Sequence, residues 1–311
     1  MSGASLSVGI LCSRVREEEK RILQALRARG VDFERMDVRQ IALEVDGTNP
    51  SGCQHAGLEE GRLDVVLIRC MSQTRGLCAA RLLEQRGVRT INSAGAIATC
   101  GDKLLTTMAL QAHGVPIPQT MVTFSRERAL ASMEKLGYPL VVKPLVGSWG
   151  RLLAKVNDRE AAETVLEHRA ALNPSDPFYV QEYIEKPGRD IRTLVVGDET
   201  VYAVYRHSAH WITNTALGGD TSVCRITPEV DRISRAAARA VGGEIVAVDL
   251  LEVTDGAGKG AANLLVNEVN HTPEFHGAVK ATDADVAGSI VDYVLTSASQ
   301  PPGGMGKRRR G

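Results

Sequence analysis

The stretch Leu264-Leu265-Val266-Asn267-Glu268-Val269-Asn270 decides how this chain is read. It alternates as a strand does, and on a strand residues i and i+2 project from one face, so Glu268 and Asn270 point the same way. A second apolar run, Glu244-Ile245-Val246-Ala247-Val248-Asp249-Leu250-Leu251, carries Asp249. If the two strands pair, Asp249, Glu268 and Asn270 bring three oxygen ligands to one patch. Magnesium takes such ligands, with waters and phosphate oxygens completing its octahedron. Three polar residues on a solvated sheet face would look the same, so the weight falls on residues upstream.

Lys143 ends the β-branched run Tyr138-Pro139-Leu140-Val141-Val142-Lys143, just before a proline and four residues before the loop Gly147-Ser148-Trp149-Gly150. Such a loop brings backbone N–H groups close to one anion, and the missing Cβ lets phosphates approach. A plain hairpin turn would read alike. Further pieces follow in a consistent order. Lys103 follows Asp102 in a helix ahead of the hairpin. Gln181-Glu182-Tyr183-Ile184 ends a strand whose backbone and Glu182 suit a base edge and a ribose. Asp190-Ile191-Arg192 sets a carboxylate and a guanidinium on one strand face.

Composition narrows the classes. With 311 residues and 43% hydrophobic content the chain supports two or three compact units rather than disorder. Lys+Arg and Asp+Glu balance at 37 each, which argues against a general nucleic-acid surface. No apolar run approaches the ~20 residues of a membrane helix, and no secretory leader is visible, so a cytoplasmic protein is expected. Of the cysteines, Cys12 and Cys70 end apolar strands and read as small buried residues. No Cys-x-x-Cys or zinc spacing occurs, and His207, His210, His271 and His276 do not supply one.

The first segment alternates strand and helix: strands near 6–12, 31–36, 64–69 and 88–92, helices near 16–29 and 75–86. This predicts an α/β fold with a doubly wound N-terminal domain over 1–94. Residues 94–113 read as one helix, and prolines 116 and 118 end it. A helix near 126–136, the lysine strand, a return strand near 152–156 and a helix near 159–171 complete a central unit over 95–177. From 178 to 298 the pattern predicts mostly strand with one alanine-rich helix near 229–241. Gly256-Ala257-Gly258-Lys259-Gly260 lacks the spacing of a phosphate loop and reads as an exposed hairpin. Residues 299–311, with Lys307-Arg308-Arg309-Arg310, read as a disordered basic tail.

The order of these pieces resembles that of the RimK-like ATP-grasp ligases, over roughly residues 5–298. Tyr205-Arg206-His207-Ser208-Ala209-His210-Trp211-Ile212-Thr213-Asn214-Thr215-Ala216-Leu217-Gly218-Gly219 and Asn267 to Thr272 place the resemblance nearest the LysX group within it. Those enzymes join 2-aminoadipate to the C-terminal glutamate of a small acidic carrier, LysW. The resemblance implies an ATP-grasp fold behind a pre-ATP-grasp domain, with ATP and Mg²⁺ as cofactors. By resemblance, Lys103 and Lys143 hold the α- and β-phosphates beneath a lid of Gly147, Ser148, Trp149 and Gly150. Gln181, Glu182, Ile184 and Asp190 serve the nucleotide. Asp249, Glu268 and Asn270 hold the metal. Arg192, Arg206 and Asn214 face the γ-phosphate, the acyl phosphate and the amino acid. His271, Thr272, Glu274 and Phe275 lie where an amino-acid side chain is selected.

Members of that group tend to read Met-Glu-Phe-Lys-Asn where this chain has Pro273-Glu274-Phe275-His276-Gly277. The ligation class stands, but glutamate, used by the related ArgX group of arginine biosynthesis, becomes an alternative. One methylene is worth only ~1–3 kcal/mol in a pocket. A RimK-type protein glutamate ligase and a catalytically silent nucleotide-binding regulator are the remaining readings, and the family suggests a tetramer. Arg206→Ala is expected to hurt amide formation far more than folding.

Overall fold

The structure, a computed structural model, describes residues 6–43, 53–54, 63–147, 150–213, 220–253 and 263–298. The expected hairpin at 256–260 and the basic tail lie outside these. The chain opens with β1 (Ser7–Cys12), α1 (Glu17–Ala28), β2 (Asp32–Asp37), a small pair β3 (Ala42–Leu43) and β4 (Cys53–Gln54), then β5 (Val65–Ile68), α2 (Gln73–Gln85) and β6 (Arg89–Ile91). β2, β1, β5 and β6 form a parallel sheet in that order. Its residues alternate between two cores, Val8, Ile10, Val65 and Leu67 to one side and Leu11, Val66 and Ile68 to the other. That is the double covering a parallel sheet requires.

The run read as one helix is two, α3 (Ala94–Gly101) and α4 (Lys103–Ala112). Asp102 breaks it: its backbone is extended, and its Oδ1 accepts from the N–H groups of Leu104 and Leu105 at 2.8 and 3.2 Å. A short carboxylate favours capping over a helix interior. The break puts Lys103 at the first position of α4, with its N–H donating to the Leu145 carbonyl at 2.9 Å.

Next come β7 (Thr120–Thr123), α5 (Arg126–Leu136), β8 (Leu140–Lys143), β9 (Ala154–Val156), α6 (Arg159–Leu172) and β10 (Phe178–Glu182). Their antiparallel sheet has the order β7-β10-β8-β9 and encloses a core of its own, including Met133, Leu140, Val142, Leu166 and Val180. The chain continues with β11 (Arg189–Val196), β12 (Glu199–His207), β13 (Asp220–Val223), α7 (Pro228–Ala240), β14 (Ile245–Glu252), β15 (Leu264–Asn270), α8 (His276–Ala281) and α9 (Val286–Ala298). The second antiparallel sheet runs β13-β12-β11-β14-β15.

The helices α8 and α9 correct the expectation of strand and one helix beyond residue 178. The run Val286 to Ala298 is rich in β-branched residues with little helical preference of their own. Burial decides instead: Val286, Ile290, Val291 and Val294 are fully packed and α9 lies against α1. The same apolar cluster joins Val8, Ile22 and Val65 to Leu194, Tyr202 and Ile245. The parallel sheet and the five-stranded sheet thus share one core. No helix among the described residues is long and apolar enough to cross a membrane.

Candidate active site

One face of the five-stranded sheet carries the charged residues, and strand register puts them there. Asp249 on β14 lies opposite Glu268 on β15, and Ala247 opposite Asn270. Arg192 on β11 lies opposite Asp249, and Asp190, two residues before it, opposite Arg206 on β12. The expected strand pairing is present, with one irregularity: the register shifts between Asp249 and Leu250, leaving Asn267 as the extra residue on β15. A bulge interrupts the period of two. Val266 and Val269 both reach the core, and Asn267, Glu268 and Asn270 all line the cleft above the sheet.

The cleft, of about 440 Å³, is bounded on its other side by the central sheet together with Val146, Gly147 and Gly150. Lys103 Nζ donates to the Gly147 carbonyl at 2.8 Å and lies 3.9 Å from Glu268. Lys143 Nζ donates to Gln181 Oε1 at 2.5 Å and to Asn267 Oδ1 at 2.9 Å. Gly150 has φ +67°, and a Cβ there would come within 2.9 Å of Ile212, so glycine is required at that corner. Asp249 accepts from Arg192 at 3.0 and 3.3 Å and pairs with Arg206 at 3.1 Å. Burial alone would raise the Asp249 pKa, but the two arginines outweigh it and hold the carboxyl ionised.

Burial pushes the Lys143 ammonium down to about 8, helped by Lys103 and Lys186 and opposed by Glu268. A phosphate arriving beside it would restore the charge. Below pH ~8 the lysine is protonated before and after binding; above it, binding must take up a proton. Nucleotide affinity is therefore expected to fall as pH rises past 8, with proton uptake near zero at pH 7 and approaching one at pH 9. Calorimetry in buffers of different ionisation enthalpy reads this directly. Equal uptake in Lys143→Arg would assign the proton elsewhere.

The oxygen donors Asp249, Glu268 and Asn270 match the preference of Mg²⁺. Among the described residues no three His, Cys, Asp or Glu side chains converge as metal ligands, and Asn270 lines the cleft beside Asp249 and Glu268.

Other expected site residues fall unevenly. Glu182 and Ile184 line the cleft, and Glu182 Oε1 also accepts from the Gln119 N–H at 2.7 Å. Asp190, expected to serve the nucleotide, lines the cleft and also has a structural partner. It is buried, with its oxygens held by the Arg206 guanidinium at 2.8 Å each and by the Thr213 hydroxyl, so it anchors the arginine. Phe275 does not face the cleft: it is buried in the shared core, with the Arg69 guanidinium 6.0 Å from its ring centre. Its neighbours His271, Thr272 and Glu274 do line the cleft, and burial followed by Arg69 lowers His271 to about 4. Ser148, Trp149 and Asn214 lie outside the described residues.

Two residues escaped the sequence reading. Asn267 was hidden because a regular strand would turn it away from Glu268; the apolar pair Val266 and Val269, three apart, was the available signal. Lys186 projects into the cleft and donates to the Thr213 hydroxyl at 2.7 Å. Like Lys143, it immediately precedes a proline.

Comparison with known proteins places this arrangement. The RimK-like ATP-grasp domain matches residues 100–294, and the LysX pre-ATP-grasp domain matches residues 8–99. The glutamate–LysW ligase ArgX of Sulfolobus acidocaldarius is 37% identical over 293 residues, covering 93% of this chain and 98% of that protein. The alpha-aminoadipate–LysW ligase LysX of Sulfurisphaera tokodaii is 34% identical over 234 residues, 74% of this chain and 80% of that one. Among solved structures, the ATP-grasp ligase PsnB, complexed with a phosphomimetic variant of its minimal precursor, Mg and ADP, superposes with a TM-score of 0.73 at 19% identity. That match covers 95% of this chain and all 100% of PsnB, and it bears on the fold alone. With both of its domains matched and relatives aligned along nearly its whole length, the chain belongs to the RimK-like ATP-grasp ligase family, of the kind carrying a LysX pre-ATP-grasp domain.

Proposed function

We propose that this protein is an ADP-forming ligase that attaches a dicarboxylic amino acid, 2-aminoadipate or glutamate, to the C-terminal glutamate of a LysW-type carrier. The observation that carries the reading is the convergence, in one cleft, of Lys103, Lys143 and Lys186 with Arg192, Arg206 and the carboxylates Asp249 and Glu268. Five cations gathered around the facing carboxylates Asp249 and Glu268 suit a magnesium-bound triphosphate. Relatives of both named specificities support the choice of amino acids.

The chemistry follows from the leaving group. An amine cannot displace oxide from a carboxylate, so the carrier's carboxylate first takes the γ-phosphoryl group of ATP. The acyl phosphate then loses phosphate to the attacking amine, and an amide forms. Lys103 and Lys143 would lie along the triphosphate, and Arg192 and Arg206 would offset charge on the transferred group. Magnesium, held by Asp249, Glu268 and Asn270, would neutralise phosphate charge. No protein nucleophile is required. The glycine loop would keep water from the acyl phosphate.

The test is ATP consumption with purified carrier and each amino acid in turn. ADP release requiring both, with a matching mass gain on the carrier, supports the reading and names the amino acid. Turnover without the carrier, or none with it, would overturn it in favour of a RimK-type ligase acting on another protein.

A further inference from the structure

The first turn of α1 reads Glu17-Glu18-Glu19, which serves the helix dipole and is normally solvated. Here Glu18 and Glu19 are only 2% and 0% exposed, and burying carboxylates is unfavourable unless they are paired. The partners of Glu18 lie more than two hundred residues along the chain, and Glu19 reaches the same segment through Arg16 and Arg69. Glu18 Oε1 accepts from the backbone N–H groups of Phe275 and His276, each at 3.2 Å, and lies 2.6 Å from His276 Nδ1. Glu19 accepts from Arg69 Nε at 3.0 Å and Arg16 Nη2 at 2.8 Å. Arg69, itself 3% exposed, donates from Nη2 to the Pro273 carbonyl at 3.0 Å. Arg16 Nη1 donates to Glu274 Oε1 at 2.8 Å. All four consecutive residues 273–276 are thus engaged by groups of the N-terminal domain.

That segment joins the carboxylate-bearing β15 to α8, and Glu274 and His276 line the cleft. Apolar packing would hold two domains together as firmly as a buried ionic network does, because the charges must first be desolvated. What directional bonds to backbone atoms add is a fixed position for the segment. We propose that Glu18, with Glu19 and Arg69, is a positioning residue that sets the shape of the amino-acid end of the cleft. The N-terminal domain thereby governs how tightly the amine-bearing substrate is held. The assignment of that end to the amino acid rests on the function proposed above and on the resemblance that puts side-chain selection at His271, Thr272 and Glu274.

The test compares wild type with Glu18→Ala and Glu18→Gln in the full-length protein, with carrier, ATP and the preferred amino acid. The alanine variant is expected to raise the amino-acid KM about tenfold or more while the ATP KM stays within about twofold. Amide hydrogen exchange at Phe275 and His276 should accelerate by about tenfold or more, with β14 unaffected. The glutamine variant keeps an acceptor for the two backbone N–H groups and lacks the charge facing His276. It should show a smaller shift in the same direction, and it carries the test if the alanine variant fails to fold. An unchanged amino-acid KM, or one rising in step with that for ATP, overturns the inference, as does unaltered exchange at 275 and 276. If wild type shows no carrier-dependent turnover, the proposed function falls separately, and the exchange measurement decides the positioning role alone.

Discussion

Changing Glu268 to Gln is expected to lower turnover by about three orders of magnitude, among the largest effects available from a single atom exchange in this protein. The side chain sits across from Asp249 in the strand register and is 31% exposed, with Lys103 its nearest cation at 3.9 Å. Glutamine keeps the volume but replaces an anionic oxygen with an amide, a poorer donor to a hard divalent cation. Because Glu268 is partly exposed and its nearest ion pair is 3.9 Å long, stability should move by less than ~1 kcal/mol. Single-turnover ADP release and nucleotide titration, alongside a melting curve, separate these effects. The expected result is lost phosphoryl transfer with most of the nucleotide binding and the melting temperature retained; near-normal turnover would remove Glu268 from the metal set.

The second large effect is on folding. Arg206 was expected to matter for amide formation far more than for folding, and its burial in the structure adds a large expected cost to stability. Its guanidinium is buried, bonded bidentately to Asp190 and paired with Asp249. Burial would lower its pKa, but Asp249 and Asp190 more than compensate and raise it. Truncation to Ala leaves two carboxylates facing one another with Arg192 and Lys186 as the remaining nearby cations. Breaking a buried pair in this way costs about 3–5 kcal/mol. Urea denaturation should show a loss of unfolding free energy of that size in Arg206→Ala and a smaller one in Arg206→Lys, which keeps the charge without the fork. An Arg206→Ala protein as stable as wild type would mean that the pairing contributes nothing net.

The residues legible in the sequence were those whose placement follows from strand period alone. Glu268 and Asn270 share a face because they are two apart, and Asp249 joins them because β14 and β15 pair. The lysine strand was legible for the same reason. What escaped depended on long-range packing. The bulge that turns Asn267 into the cleft exists because Val266 and Val269 both find the core. The helix α9 forms against its local preference because α1 and the parallel sheet cover it. Phe275 sits in an apparently site-like run, yet its ring fills the shared core, which sequence adjacency cannot reveal.

The separate core of the central sheet has a consequence for how the molecule works. The buried apolar residues of that cluster all lie between Ala129 and Val180, whereas the parallel and five-stranded sheets are welded into one cluster. Across the cleft, the ties between the two bodies at Lys103–Gly147 and Lys143–Asn267 are polar. Water can replace such ties at little net cost. Displacing the central sheet as one body would therefore break polar ties and leave the hydrophobic packing of the other two sheets intact.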